Sequence, residues 1–225
     1  MTGLILIYGV AMKQSIKSEA TRQHILDTSF ELVLRKGFVG VGLQEILKAC
    51  DVPKGSFYHY FASKEALLDA VIAQYIDAEI AAAQGIAEMP HLTAHEKLFR
   101  ILAGADRDSE QGDRLEKEAQ TVGNADMHQK TMASIVLGLS PILADIVRQG
   151  IREGTFNTEY PQECVEILLA ASEFLLHGSA FCWSCEQRLQ KARALAFVAE
   201  KALGVTQGQL GYLYKRHEKQ GKGSD

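Results

Sequence analysis

The sequence predicts an all-α protein, on three observations. Prolines are few, only Pro53, Pro90, Pro141 and Pro161 in 225 residues. No long stretch alternates apolar and polar residues, as a half-buried strand would. Apolar residues recur instead at three- and four-residue spacing, the period of a helix with one buried face. With 47% hydrophobic and 23% charged residues, the chain is long enough for one large domain or two small ones.

Taken in order, the opening MTGLILIYGVAM is apolar but has no basic start and no small-residue cleavage site. It is far short of the roughly 20 residues that a membrane span needs, so it reads as no export signal. The polar KQSIKSEATRQ directly after Met12 points to translation starting there, with a disordered or partner-bound arm as the alternative. The first clear helix is expected over Ser18–Lys36, where Ile25, Ser29, Leu32, Val33 and Lys36 share a face and Gly37 ends the run. A short helix over Leu43–Cys50 carries the stripe Leu43, Ile46, Leu47 and Cys50, leaving Gln44, Glu45 and Lys48 outside. Asp51-Val52-Pro53 is a break, followed by a helix over Lys54–Phe61. Ser63 is placed to cap a longer helix reaching about Ala83, with Glu65 in its first turn where the dipole favours an anion.

The pattern breaks at QGIAEMPHLT (84–93), the best candidate for a domain boundary, and Thr93 with Glu96 has the spacing of a capping box. A polar loop over 105–113 precedes helices expected at 114–122, 125–137 and 141–153, with Pro141 at a first helical position and Gly154 at the end. The stretch 161–181 is apolar nearly all round, which predicts burial on more than one side. A last amphipathic helix is expected over 186–203, through Leu189, Ala192, Leu195, Ala196, Ala199 and Leu203. Past Gly208 the chain turns polar and basic and reads as a frayed tail.

The net charge of −4 argues against a general nucleic-acid coat. Residues 13–66 nevertheless hold eight Lys/Arg against six Asp/Glu, so the acidity lies in the rest of the chain. The four cysteines, Cys50, Cys164, Cys182 and Cys185, are too sparse and uneven for a disulfide framework, which fits a reducing, cytoplasmic setting.

The most informative stretch is VGLQEILKACDVPKGSFYHYFASKEALL, residues 41–68: two short helices joined by a tight turn, the spacing of a helix-turn-helix. Phe57 and Phe61, four apart, can pack inward together, leaving Ser56, Tyr58, His59 and Tyr60 to the other faces, with Lys54 and Lys64 flanking. Exposed aromatics among hydrogen-bond donors and cations suit a face that meets a polyanion. Lys54 and Lys64 would neutralise phosphates, and Ser56, Tyr58 and Tyr60 would donate to phosphate or sugar. Gly55, lacking a side chain, would let the backbone come close to DNA. The competing reading is a small core helix whose tyrosines cover apolar surface.

This segment resembles the recognition region of the TetR/AcrR family of transcriptional regulators, nearest its NemR-like branch, over about residues 18–70. The resemblance implies an all-helical protein: an N-terminal three-helix helix-turn-helix domain, a linker helix, and a C-terminal helical bundle that binds a ligand and dimerises through its last two long helices. On this sequence those parts fall at 13–62, 63–83 and 84–207, between an uncertain extension at 1–12 and a polar tail at 208–225. Positions matching the family's DNA-contacting motif are Gln44, Lys54, Gly55, Ser56, Tyr58, His59, Tyr60 and Lys64. Two departures stand out: Val41-Gly42-Leu43 occupies the start of the second helix where a Thr is usual, and Asp51 replaces the usual turn glycine. The implied partners are a palindromic operator in double-stranded DNA, a second copy through about 161–203, and a small-molecule effector, with no membrane and no cofactor. A helical adaptor whose helix-turn-helix no longer reads DNA is the alternative.

For the effector pocket the candidates are Asn124, His128, Glu173, His177 and Trp183, polar groups or an aromatic near apolar helices. Cys182-Trp183-Ser184-Cys185 supplies two thiols where structural zinc needs four ligands. It reads first as structural thiols, with a redox or electrophile-reactive pair next and a metal site last. Enzyme signatures are missing: there is no phosphate-cradling Gly-rich loop after a strand, no nucleophile elbow and no HExxH.

Overall fold

The computed structural model describes residues 2–37, 40–104, 125–177 and 181–215; the helix expected at 114–122 lies outside them. Helices run over Thr2–Lys36 (α1), Leu43–Cys50 (α2), Lys54–Tyr60 (α3), Lys64–Ala87 (α4) and Ala94–Leu98 (α5). Ala125–Arg152 (α6), Pro161–Ser172 (α7) and Cys185–Ala202 (α8) follow, and no strand occurs among the described residues. Two segments wind as π-helix, Phe99–Gly104 after α5 and Glu173–His177 after α7. The chain divides into two compact units between Gln74 and Tyr75.

In the first unit α1, α2, α3 and the start of α4 close around Ile25, Leu26, Val41, Ile46, Leu47, Cys50, Phe57, Phe61, Leu67 and Val71. Gly37 ends α1 at φ 74°, a left-handed geometry that glycine adopts without steric penalty. Gly42 heads α2 with no side-chain cap, so the missing threonine is not replaced by another capping side chain. Asp51, standing where the family has glycine, adopts the left-handed conformation itself (φ 52°, ψ 44°), and its amide donates to the Leu47 carbonyl. Aspartate tolerates that geometry better than most residues, which keeps the turn tight without glycine. Ser63 caps α4 as expected, its Oγ accepting from the Ala66 amide at 3.1 Å.

The second unit is built on α6, whose Leu139, Ile142, Leu143, Ile146 and Val147 form one buried face with Ala83, Leu98, Phe156, Val165, Ala199 and Leu203. Three expectations are corrected here. Pro141 does not begin a helix; it lies inside α6, which runs unbroken from Ala125 to Arg152. Proline removes one backbone bond, but the buried residues on both sides of it hold the helix together. The 161–181 stretch is not buried on several sides within the chain: Ile167 is 67% exposed and Phe174 50%. The expected frayed tail is packed at its beginning, where Leu210 is 2% exposed and the buried Glu200 carboxylate accepts from the Gly208 and Leu210 amides at 2.8 and 2.9 Å.

The segment joining α4 to α5 is fixed by a buried cation. Lys97 donates to the carbonyl of Ala87, the last residue of α4, at 2.6 Å and to Gln149 Oε1 at 2.8 Å. Gln149 in turn donates to the Leu92 carbonyl and to Glu153, and Glu153 accepts from the Ala94 amide. Thr93 and Glu96 form the expected capping box at the head of α5. By length and composition, Gln129–Arg152 could cross a membrane, but one side of it is the core just described.

Candidate DNA-reading surface

Pro53, with φ −62°, heads α3, and a helix of only seven residues then depends on tertiary packing. Phe57 supplies it: fully buried, it meets Phe61 with ring centroids 5.8 Å apart. Anchoring Phe57 inward turns the positions beside it outward. Tyr58 is 46% exposed and packs edge-on against Phe57 at 5.4 Å. Lys54 places its ammonium 5.9 Å from the Tyr58 ring, so cation and phenol share one surface.

Of the eight residues singled out from the sequence, Gln44, Lys54, Gly55, Tyr58 and His59 are exposed. Ser56, Tyr60 and Lys64 are half-buried. His59 lies edge-on to Tyr60 at 4.9 Å, and the Tyr60 hydroxyl accepts from Ser18 Oγ at 3.3 Å. A Cβ built on Gly55 meets nothing within 4 Å, so the chain's own packing does not require glycine there. Glu65, in the first turn of α4, is held below the usual carboxylate range by a backbone amide and by Ser63.

Sequence reasoning missed the part α1 plays. Ser18 reaches Tyr60, the Arg22 guanidinium sits 5.6 Å from the Phe61 ring centroid, and His24 bonds the Cys50 carbonyl at 3.1 Å. A helix read for its apolar stripe gives no sign that its polar residues brace the neighbouring helices.

The effector candidates are not gathered into one site. Asn124 lies outside the described residues; His128 and His177 fall on α6 and the second π segment, with side chains outside the description. Glu173 is half-buried at the start of that π segment, and Trp183 stacks on Phe181 at 5.1 Å. A solvent-open cleft of about 290 Å³, lined by Ala87, Asp145, Ile146, Arg148, Gln149 and Arg152, includes none of them. Among the described residues no cluster of three or more His, Cys, Asp or Glu could hold a metal.

Residues 25–71 match the family described as bacterial regulatory proteins, tetR family, and residues 108–198 match the tetracyclin repressor-like C-terminal domain. A solved putative transcriptional regulator of the TetR/AcrR family is 32% identical, covering 89% of this chain and 98% of that one, with a TM-score of 0.52. The chain belongs to the TetR family. It is therefore a transcriptional regulator and not an enzyme. The reduced form of Escherichia coli NemR is similar at 25% identity, covering 81% and 97% of the two chains with a TM-score of 0.54. Over 55 residues the chain is 54% identical to the transcriptional repressor NemR of Escherichia coli strain K12. That match spans 24% of this chain and 28% of that protein, so the close likeness is confined to the helix-turn-helix region.

Proposed function

We propose that this TetR-family protein is a cytoplasmic repressor that binds a palindromic operator as a homodimer and leaves it when a small molecule binds the C-terminal domain. The carrying observation is α3: Phe57 is fully buried, and Lys54, Tyr58 and His59 are thereby turned to solvent. Lys54 and Lys64 answer to phosphates, Ser56, Tyr58 and Tyr60 donate hydrogen bonds to phosphate and sugar, and Gln44 and His59 are placed to meet the duplex. Gly55 opens the backbone to close approach, and base edges are read in the major groove. Repression is supported by the resemblance of this region to a protein named as a repressor.

A second copy would cover the apolar side chains that α7, its π extension and α8 leave open, Ile167, Phe174, Phe197 and Val198. Two reading heads on a two-fold axis then call for half-sites about one helical turn apart. We assign reading to residues 13–62, linkage to 63–83, and effector binding and dimerisation to 84–207. Glu173 and Trp183, with Asn124, His128 and His177, are the residues to probe for effector contact. Release follows if the effector binds more tightly to the conformation whose heads mismatch the two grooves.

The test is fluorescence anisotropy of the full chain on DNA from just upstream of its own gene, against an unrelated duplex, at two salt concentrations. Specific binding that weakens with salt, as counterion release requires, is the expected result. Tyr58→Ala and Lys54→Ala should weaken it while the dimer measured by light scattering persists. The bare start of α2 at Gly42 is the one feature favouring an adaptor that has lost DNA reading. Equal, weak binding to both duplexes, unchanged in the Tyr58 variant, would favour that adaptor.

A further inference from the structure

The residues just ahead of α8, from Phe181, carry chemistry that operator reading does not use. Cys182 and Cys185 are both thiols, and both are exposed. That departs from the structural-thiol reading, because structural cysteines are typically buried. The other two cysteines show the contrast. Cys50 lies in the core at 2% exposure, and Cys164 is half-buried, its Sγ 3.5 Å from Thr158 Oγ1 and 3.7 Å from the Ala202 carbonyl.

The turn that holds the exposed pair is well braced. Cys182 has φ 48°, a left-handed conformation that costs a non-glycine residue and persists only where its surroundings hold it. Trp183, between the two cysteines, stacks on Phe181 at an interplanar angle of 12°, and Phe181 meets Phe174 edge-on at 5.2 Å. The Lys191 ammonium lies 4.0 Å from the Trp183 ring centroid. Arg188 donates to the Leu176 carbonyl at 2.7 Å, tying the first turns of α8 to the π segment. Cys185 is the first residue of α8, where helix amides present positive charge. Two exposed sulfurs three positions apart, one of them at a helix N-terminus, are open to a small oxidant and close in sequence to each other.

We propose that Cys182 and Cys185 form a reversible dithiol–disulfide pair oxidised by hydroperoxides. The Cys185 thiolate attacks the terminal oxygen of ROOH, the O–O bond breaks, and ROH leaves with a proton. Cys185 is then a sulfenic acid. The Cys182 thiolate attacks that sulfur, the S–S bond forms, and the departing hydroxide takes a proton to become water. The two thiols lose two electrons and the hydroperoxide gains them. Disulfide formation brings the two Cα atoms within about 7 Å. The intervening Ser184 is the extended N-cap of α8 (ψ 162°), paired with Gln187 in a capping box, so oxidation re-forms the start of that helix.

The full-length reduced protein is treated with tert-butyl hydroperoxide, then denatured, alkylated and analysed by mass spectrometry. Alkylatable cysteines should fall from four to two. The peptide holding Cys182 and Cys185 should be lighter by two hydrogens, and dithiothreitol should restore it. Trp183 is the single tryptophan, so its fluorescence should change on oxidation and recover on reduction. Cys182→Ser should stop disulfide formation and leave a sulfenic acid on Cys185 that dimedone traps. The proposal is overturned if all four cysteines remain alkylatable, if the product is a chain-to-chain disulfide, or if oxidation runs to sulfinic acid without an S–S bond. The readout is covalent and independent of whether the protein binds DNA.

Discussion

Glu200 offers a quantitative test of how the C-terminal segment is held. Its carboxylate, 4% exposed, accepts from the Gly208 amide at 2.8 Å and the Leu210 amide at 2.9 Å. Hydrogen bonds to a charged group contribute about 1.5–3 kcal/mol each. Truncation in Glu200→Ala removes the one oxygen, Oε1, that accepts both bonds. The Leu210 amide belongs to a residue 2% exposed, so water cannot readily replace its partner, whereas Gly208 is exposed and its amide can be rehydrated. Relief from burying a carboxylate offsets part of the loss, leaving a net destabilisation of about 2–4 kcal/mol. For a chain of this size that lowers Tm by roughly 5–12 °C. Glu200→Gln keeps an oxygen in place and should lose only about 1–2 kcal/mol, since neutral acceptors bond about half as strongly. Thermal unfolding followed by far-UV circular dichroism gives the ordering wild type, Gln, Ala. An alanine variant as stable as wild type, or a glutamine variant weaker than alanine, would refute the role assigned to this carboxylate.

Other perturbations probe other parts of the molecule. Phe57→Ala empties a fully buried position and should destabilise the reading domain by about 3–5 kcal/mol, while Tyr58→Ala at the exposed neighbour should stay within about 0.5 kcal/mol of wild type; denaturant titration separates them. Gly150→Ala would gain about 1 kcal/mol of helix propensity, yet its Cβ would stand 2.4 Å from the buried Phe156 ring, so a net loss of stability is expected, relieved in the double variant with Phe156→Leu. His95 is held below the ordinary histidine value of 6.5 by burial, opposed by Glu153, and its Nε2 is buried without a partner. The unfolded chain therefore binds a proton first as pH falls through 6.5, and stability should drop below that value; His95→Gln should flatten the decline in a pH series of urea midpoints.

The periodic helices were legible in the sequence because periodicity reports a buried face directly. Leu43–Cys50 carries its stripe within eight residues, and Ser63, Thr93 and Glu96 announce helix starts through side chains that bond the first amides. Charged residues inside the fold were not legible. Nothing in the sequence marks Lys97 and Glu200 as interior, yet each is about 95% buried, where each bonds backbone groups. Pro141 was misread for a related reason: a local breaker signal cannot weigh the packing that carries α6 through it. The 161–181 stretch shows the reverse limit. Its composition demands cover, but a single chain's sequence does not say whether that cover lies in the chain or in a second copy. At the reading surface, the inward role of Phe57 and the outward one of Tyr58 followed from spacing alone, whereas the bracing by Ser18 and Arg22 required the fold.

Gly55 is a glycine for which packing within the chain gives no reason. Glycine within a helix weakens it by about 0.5–1 kcal/mol relative to alanine. At Gly138, inside α6, such a weakness has a visible cause, since a Cβ there would run into the Ile80 side chain, whereas at Gly85, inside α4, a Cβ would meet nothing within 4 Å. At Gly55 a Cβ would meet nothing within 4 Å beyond its own chain neighbours and helix backbone, and the residue is exposed in the first turn of α3. If close approach of DNA is what excludes a side chain there, Gly55→Ala should move two quantities in opposite directions. Thermal stability should rise slightly or hold, while operator affinity falls at least tenfold, the consequence of about 1.4 kcal/mol of steric conflict at the interface. Anisotropy on the operator and unfolding of the same preparation measure both. A variant that gains stability and binds as well as wild type would place the duplex away from the start of α3.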